Sequence, residues 1–120
     1  MPDFVARSNA ESLVCVQLEH ASAIANVDEL LKVDGIDVFF IGPSDLSQSM
    51  GHSGHPGAPP VKAAINLALA KIVAAGRTPG MPAASANVAQ VLGQGVRYVY
   101  THLPKLVKAG SDGFLDAARP

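Results

Sequence analysis

Short apolar runs separated by polar segments divide the beginning of the chain into alternating strands and helices. Residues 13–18 and 36–41 are two apolar runs with the length of buried strands. Between them, over residues 21–32, apolar residues recur every three or four positions, which predicts one helix face. A strand, a helix and a second strand of these lengths predict a βαβ unit with parallel strands.

The same alternation continues to the end of the chain, after a lead-in segment at residues 1–12 that has no period. The later predicted elements, in order, are a loop at 47–60, a helix that ends at Gly76, a weak strand at 78–84, a short helix capped by Ser85, a strand at 96–100, and a helix at 104–118 interrupted at Gly110 or Gly113. The helix that ends at Gly76 has one predicted apolar face, formed by Val61, Ile65, Leu69 and Ile72. The prediction is therefore a single α/β domain, 1–120, of four βα units.

Four βα units can form a small open parallel sheet or half of an eight-stranded barrel. A complete (β/α)8 TIM barrel takes about 250 residues, and this chain has 120. Half a barrel leaves two strand edges open, and open edges favour pairing with another chain.

Two carboxylates follow the first two predicted strands. Glu19 comes directly after the first strand, and Asp45 lies in the polar segment after the second. Because parallel strands end at the same edge of a sheet, these side chains should emerge near one another, where α/β proteins place their chemistry. From spacing alone, the alternative is two solvated loop carboxylates, with Asp45 capping the turn that follows it.

Composition excludes several classes of partner and location. A formal net charge of -1 without a Lys/Arg block gives no reason to expect binding to nucleic acid or to an anionic membrane. No apolar run is long enough to span a bilayer, and the first residues lack the pattern of a signal peptide. The single cysteine, Cys15, excludes an internal disulfide, so we expect a cytoplasmic protein with a buried, structural thiol.

Four motifs in the chain are specific enough to compare with known families. They are V-Q-L-E at 16–19, N-V-D-E-L-L at 26–31, G-I-D-V-F-F-I-G-P-S-D-L-S at 35–47 and S-M-G-H at 49–52. These motifs resemble the HpcH/HpaI aldolase family, the class II metal-dependent pyruvate aldolases of the phosphoenolpyruvate/pyruvate-type barrel superfamily. The resemblance extends from residue 13 to residue 103. It implies a partial TIM barrel in which this chain supplies strands five to eight, the C-terminal half.

The resemblance implies roles for five residues. Glu19 and Asp45 match the two carboxylates that hold the divalent metal. Gln17 matches a catalytic glutamine that faces the oxo-acid end of the substrate, and Gly42 and Ser44 match the loop whose backbone N–H groups receive the substrate carboxylate. Oxygen ligands favour Mg²⁺ or Mn²⁺. The implied reaction is cleavage of a 4-hydroxy-2-oxo acid to pyruvate and an aldehyde, a carbon–carbon lyase activity.

The sequence also departs from the family pattern. The family's base-positioning histidine and its arginine come from the first half of the barrel, and no residue here matches them. Pro82 stands where an aliphatic wall residue is expected, and His102 is the one histidine that could replace an acid or base. Two alternatives to autonomous catalysis therefore stay open: a catalytically incomplete remnant that at most binds metal, and a half barrel that assembles with a second copy or with a complementing chain.

Overall fold

One sheet of four parallel strands forms the centre of the protein. The computed structural model describes residues 2–119, and the strands are β1 (Cys15–Leu18), β2 (Val38–Ile41), β3 (Thr78–Pro82) and β4 (Tyr98–Tyr100). They lie in the order β1-β2-β3-β4, and each is parallel to its neighbours. The predicted parallel α/β arrangement is confirmed, with strands shorter than the apolar runs suggested.

Helices occupy the connections between the strands and both ends of the described chain. In chain order they are α1 (Pro2–Glu11), α2 (Ala21–Ala25), α3 (Val27–Leu30), α4 (Pro43–Ser49), α5 (Pro59–Ala74), α6 (Val88–Gly93) and α7 (Leu103–Ala118). None of the helices within residues 2–119 combines the length and the apolar character needed to cross a membrane.

Four helical segments differ from the sequence-based prediction. The predicted helix at 21–32 is split into α2 and α3 at Asn26, whose side chain bonds the carbonyl of Ser22 at 2.9 Å. The start of the predicted loop at 47–60 belongs to α4, and the lead-in segment contains α1.

The predicted interruption of the last helix is wrong, because α7 continues through Gly110 and Gly113. Each glycine costs a helix only about 1 kcal/mol relative to alanine, so a helix of this length tolerates two.

The hydrophobic core lies between one face of the sheet and the helices. Alternate residues of β1 and β2, Leu18, Phe39 and Ile41, point into it, since successive side chains of a strand face opposite ways. Helix α5 contributes its buried stripe from the other side, formed by Val61, Ile65, Leu69 and Ile72. The predicted apolar face of this helix is therefore confirmed as the covering layer of the sheet.

Among residues 2–119, no helix packs on the opposite face of the sheet, which is lined by aromatic rings. Phe40 lies in an edge-to-face arrangement with Tyr98, at 6.2 Å between ring centroids, and in a tilted contact with Tyr100 at 5.8 Å. Gln17, which pairs with Phe40 in register, shares this face and is exposed. We call this surface, defined by Gln17, Phe40, Tyr98 and Tyr100, the open face.

Cys15 also lies on the open face, in register with Val38. The predicted burial of its thiol is wrong, because the residue is exposed on the side of the sheet that the helices leave uncovered. Partial desolvation by neighbouring atoms nevertheless raises the pKa of the thiol, which favours the protonated, less reactive form.

Apolar side chains on the last helix are exposed. Helix α7 has no buried residue, and its exposed apolar side chains are Leu103, Leu106, Val107, Phe114 and Leu115. The radius of gyration is 17.7 Å, whereas a compact domain of this length has about 14 Å. The described chain therefore extends beyond its own core at the outermost helices.

Close packing on the open face predicts a specific cost for adding a methyl group at Gly80. A Cβ atom there would lie 2.8 Å from Cδ2 of Phe40 and 3.0 Å from Cγ1 of Val38. We expect Gly80→Ala to lower the free energy of unfolding by about 1–3 kcal/mol, because the strand partners must move. Urea denaturation followed by circular dichroism measures this.

Gly110→Ala is the matched control, since a Cβ atom at this position of α7 would meet no atom within 4 Å. It should leave the stability unchanged or raise it by up to about 1 kcal/mol through helix propensity. Equal losses in the two variants would contradict the packing proposed around Phe40.

Candidate functional site

Glu19 lies immediately beyond the carboxyl end of β1, over the backbone of Gly42. The pairing of Leu18 with Ile41 makes Glu19 and Gly42 the next residues along the two neighbouring strands. A Cβ atom on Gly42 would lie 3.1 Å from Cβ and 3.2 Å from Oε2 of Glu19. The absence of a side chain at Gly42 thus provides the space in which the Glu19 carboxylate rests.

Asp45 is brought to the same edge of the sheet by α4. This helix begins at Pro43, directly after β2, with Gly42 as its N-cap and Asp45 in its first turn. Proline suits the first helical position because the missing N–H has no helical partner there. A carboxylate in the first turn also lies at the favourable, positive end of the helix dipole.

The two carboxylates border one recess of about 520 Å³. Its lining consists of Glu19, His20, Asp45, Gln48 and Ser49, so the structure brings together the two predicted metal ligands. Within residues 2–119, no lysine, arginine or histidine forms an ion pair with either carboxylate. Nor do the described residues include a group of three or more His, Cys, Asp or Glu side chains arranged to hold a metal. A cation here would have two protein carboxylates and open positions.

His20 and Ser49 form the structural border of this recess. Nδ1 of His20 accepts a hydrogen bond from the backbone N–H of Ser22 at 3.2 Å and so caps α2. Oγ of Ser49 accepts from the N–H of Ala21 at 2.9 Å and donates to the carbonyl of Leu46 at 3.0 Å. These bonds join the end of α4 to the start of α2, which holds the segment next to Glu19 in place.

Gln17 faces the same side of β1 as Glu19, because residues two apart share a strand face. Its side chain is exposed on the open face, in the row that continues through Phe40, Gly80 and Tyr98 of the neighbouring strands. The structure therefore places the predicted glutamine one layer below the carboxylate recess, with its amide accessible.

The two predicted carboxylate-binding amides differ in their surroundings. The N–H of Gly42 donates to the carbonyl of Leu18 at 3.2 Å, so a ligand at this amide would share an existing bond. Ser44 lies in the first turn of α4, where backbone N–H groups lack intrahelical acceptors. The backbone N–H of Ser44 is therefore better able to donate to a ligand than that of Gly42.

Ser44 also borders a second, more enclosed cavity that the sequence did not predict. This cavity, of about 460 Å³, lies at the carboxyl ends of β3 and β4, beside the first turns of α5 and α7. Its polar lining residues come from separate elements, among them Lys62, Asn66, Asn87 and Lys105. No local motif connects such distant positions, so sequence analysis had no signal for it.

His102 borders the same cavity and does not reach the carboxylate recess lining. Its Nε2 lies 2.8 Å from the hydroxyl of Tyr100, and the two rings form an edge-to-face contact at 5.0 Å. His102, the one histidine considered as an acid or base, is therefore paired with Tyr100 at the second cavity.

Comparison with known proteins shows the family. The model of the family described as HpcH/HpaI aldolase/citrate lyase matches residues 2–114. A 4-hydroxy-2-oxo-heptane-1,7-dioate aldolase of Klebsiella pneumoniae is 43% identical over 90 residues, which cover 75% of this chain and 34% of that protein. The protein of the same name from Salmonella paratyphi B is 44% identical over the same length. The chain thus spans about a third of the length of these curated relatives.

Solved structures match almost the whole chain. A HpcH/HpaI aldolase/citrate lyase family protein from Burkholderia cenocepacia has a TM-score of 0.85 and 29% identity, and covers 98% of this chain and 47% of its own. The HpcH/HpaI aldolase from Desulfitobacterium hafniense, with a TM-score of 0.77 and 23% identity, shares the fold. The predicted partial barrel is confirmed, since the four βα units correspond to about half of each of these folds.

The bonds around Ser49 predict a local loss of stability. Ser49→Ala removes the acceptor of the Ala21 N–H in a partly buried position, which should lower the free energy of unfolding by about 1–3 kcal/mol. Ser53→Ala, in the exposed loop after α4, is the control and should change it by less than about 0.5 kcal/mol. Chemical denaturation measures both; an unchanged midpoint for Ser49→Ala would show that this bond does not hold α4 to α2.

Proposed function

Because the chain belongs to the HpcH/HpaI aldolase/citrate lyase family, we propose that it carries the metal-binding part of an aldolase active site. The observation that supports this most is the recess shared by Glu19 and Asp45, two carboxylates that form no ion pair with any residue of the described chain. Uncompensated carboxylates on one recess attract a cation, and oxygen donors favour Mg²⁺ or Mn²⁺ over softer metals.

Glu19 and Asp45 would hold the cation, with the remaining coordination positions left for water and substrate. The chemistry that a bound divalent cation supplies at such a site is polarisation of an adjacent oxo group. The role of the two side chains is to fix its position at the sheet edge. The steric fit of the Glu19 carboxylate over Gly42 supports a defined rather than a mobile arrangement.

Three other residues would bind and orient a 2-oxo acid. The backbone N–H of Ser44 would donate to the substrate carboxylate, with the Gly42 N–H sharing its bond to Leu18. The amide of Gln17 would donate to the oxo-acid end from the open face. Hydrogen bonds to an ionised carboxylate are among the stronger ones available to a protein, so these donors fix the orientation of the ligand.

The proposed reaction is reversible cleavage of a 4-hydroxy-2-oxo acid to pyruvate and an aldehyde. The curated relatives named after 4-hydroxy-2-oxo-heptane-1,7-dioate support this substrate class. The family's base-positioning histidine and arginine have no counterpart here, so catalysis by the described chain requires groups supplied by further residues. We therefore propose that activity depends on assembly with a second copy or a complementing half barrel.

The open face favours assembly over the alternative of an inert remnant. Exposed side chains on it include Cys15 and Gln17 in addition to two tyrosines that are 39% and 41% exposed. The strands β1 and β4 are the edges of the sheet, and unpaired edges readily accept another strand. A covered open face would also enclose the side of the sheet towards which Gln17 points.

Binding of Mn²⁺ tests the proposed metal ligands. Glu19→Gln and Asp45→Asn keep the size of each side chain and remove its charge, so each should weaken Mn²⁺ binding by about tenfold or more. Isothermal titration or the electron paramagnetic resonance signal of free Mn²⁺ measures the affinity. Asp34→Asn, an exposed turn residue, is the matched control and should leave the affinity unchanged.

Gly42→Ala adds a steric test of the same site, because its Cβ atom would approach Glu19 to 3.1 Å. It should weaken Mn²⁺ binding without removing a charge, whereas Gly93→Ala, whose Cβ atom would meet nothing within 4 Å, should not. Affinities that are the same in the wild-type, Glu19→Gln and Asp45→Asn proteins would show that the cation does not bind here.

Assembly and turnover are best measured on the same sample. Size-exclusion chromatography with light scattering should show a defined dimer or larger assembly. The protein from that peak, supplied with Mn²⁺, should release pyruvate from a 4-hydroxy-2-oxo acid. A monomer that binds Mn²⁺ but gives no turnover would instead favour the catalytically incomplete half barrel.

A further inference from the structure

The last helix, α7, lacks the packing that the other connecting helices have. Helix α5 follows β2 and packs against β3, the next strand of the sheet, and α6 follows β3 with Val91 buried in the core. In right-handed β–α–β connections each helix packs back onto the sheet beside the strand that comes next. Helix α7 follows β4, the last strand of the described sheet, and none of its described residues is buried. One more strand beside β4 would cover the exposed apolar residues of α7.

The opposite edge of the sheet, β1, also has free backbone groups. The amide of Val38 donates to the carbonyl of Val14 at 3.1 Å, so Val14 directs its carbonyl towards β2. Since alternate residues of a parallel strand direct their backbone groups to opposite edges, those of Cys15 and Gln17 point away from β2. No strand among the described residues pairs with this edge. Both edges thus lack a parallel neighbour, in a sheet that has half the strands of a (β/α)8 barrel.

The carboxyl ends of the two edge strands carry opposite charges. Glu19 directly follows β1, and it shares with Asp45 a recess in which neither carboxylate has an ion-pair partner within residues 2–119. Lys62 and Lys105 line the cavity at the ends of β3 and β4, whose described lining contains no aspartate or glutamate. Neither lysine forms an ion pair in the described chain, whereas the other three lysines of the sequence do. Uncompensated charges of opposite sign therefore lie at the same end of the two edges.

We propose that a second copy of this chain is the neighbour of both edges, so that two four-stranded sheets close into one eight-stranded barrel. A twofold axis along the barrel keeps all strands parallel and places β4 of each copy beside β1 of the other, at two identical seams. At each seam, the basic end of β4 with Lys105 meets the acidic end of β1 with Glu19. Helix α7 packs over the seam as α5 packs over β3, and the two open faces form the filled interior of the barrel.

The charges favour a second copy over a different half barrel, because one chain carries both complementary ends. The proposal rests on the proposed function in one respect, since it commits the assembly proposed there to a second copy. In that assembly, His102 and Lys105 of one copy lie beside Glu19 and Asp45 of the other. The proposed metal recess, which in a single copy is bordered by neither residue, thereby gains an imidazole and an ammonium group.

An exchange of charges between the two ends tests the seam without a measurement of activity. Lys105→Glu and Glu19→Lys each place like charges at both seams, so each variant alone should dimerise about tenfold or more weakly than the wild type in metal-free buffer. An equimolar mixture of the two should regain the dimer, because both seams of the mixed dimer again join opposite charges. Analytical ultracentrifugation measures the dissociation constants.

Two further variants control this experiment. Lys108→Glu lies on the same helix but outside the cavity lining, and Lys108 is paired with Asp112 of its own helix, so it should leave the dissociation constant unchanged. Asp45→Lys repeats the exchange at an exposed position in the first turn of α4, so the test does not depend on the folding of Glu19→Lys alone. Its mixture with Lys105→Glu should also regain the dimer.

The proposal and the proposed function fail in different ways. The proposal is overturned if the wild type is a monomer, if the variants with reversed charge at the seam dimerise as tightly as the wild type, or if the mixtures are no more dimeric than their components. A monomer that pairs only with a separate half barrel would identify a complementing chain as the occupant instead. If only the proposed function is wrong, Glu19→Gln leaves Mn²⁺ binding unchanged while the charge exchange still restores the dimer.

Discussion

The parallel pairing of β1 with β2 is the constraint on which the candidate site depends. The register is held at the start by the Val14 N–H, which donates to Asp37 at 2.7 Å, and by the N–H of Asp37, which donates to the carbonyl of Val14 at 2.9 Å. Since side chains alternate between faces, a slip of one residue would turn Gln17 and Glu19 towards the helices. Two carboxylates distant in sequence share a recess because four-residue strands keep this register.

The two faces of the sheet are stabilised in different ways. Helices cover one face, and Arg77 closes the far end of that layer by donating to the carbonyls of Val33 and Ile36 and by lying over the ring of Phe39 at 5.2 Å. On the other face, Phe40 is buried by tyrosine rings from β4 instead of by a helix. This explains why Phe40 is buried although helices cover only the other side of the sheet.

Local patterns predict the parts of the fold in which neighbours in sequence are also neighbours in space. The strands, the α5 stripe and the shared position of Glu19 and Asp45 follow from periodicity and from the geometry of parallel strands. The burial of Cys15 could not be predicted, because an apolar strand does not reveal which of its faces a helix covers. Helix α4 was missed because its proline, serines and aspartate also suit a turn.

The cavity lined by Ser44, Lys62 and Lys105 could not be predicted from the sequence, for a related reason. Its lysines stand 43 positions apart at the starts of two helices, and each alone looks like a solvated surface residue. The pairing of β3 with β2 and of β4 with β3 places both at the border of one cavity. The charge of a cavity assembled from distant elements is a property of the fold, whereas the proposed metal ligands belong to one βαβ unit.

The aromatic composition gives the open face its own spectroscopic signal. The sequence has no tryptophan and two tyrosines, Tyr98 and Tyr100, and both lie on β4 at that face. The tyrosine fluorescence of the protein therefore originates from one three-residue strand. Any molecule that covers this strand changes the solvent around both tyrosines. The fluorescence of the unlabelled protein therefore reports whether the open face is covered.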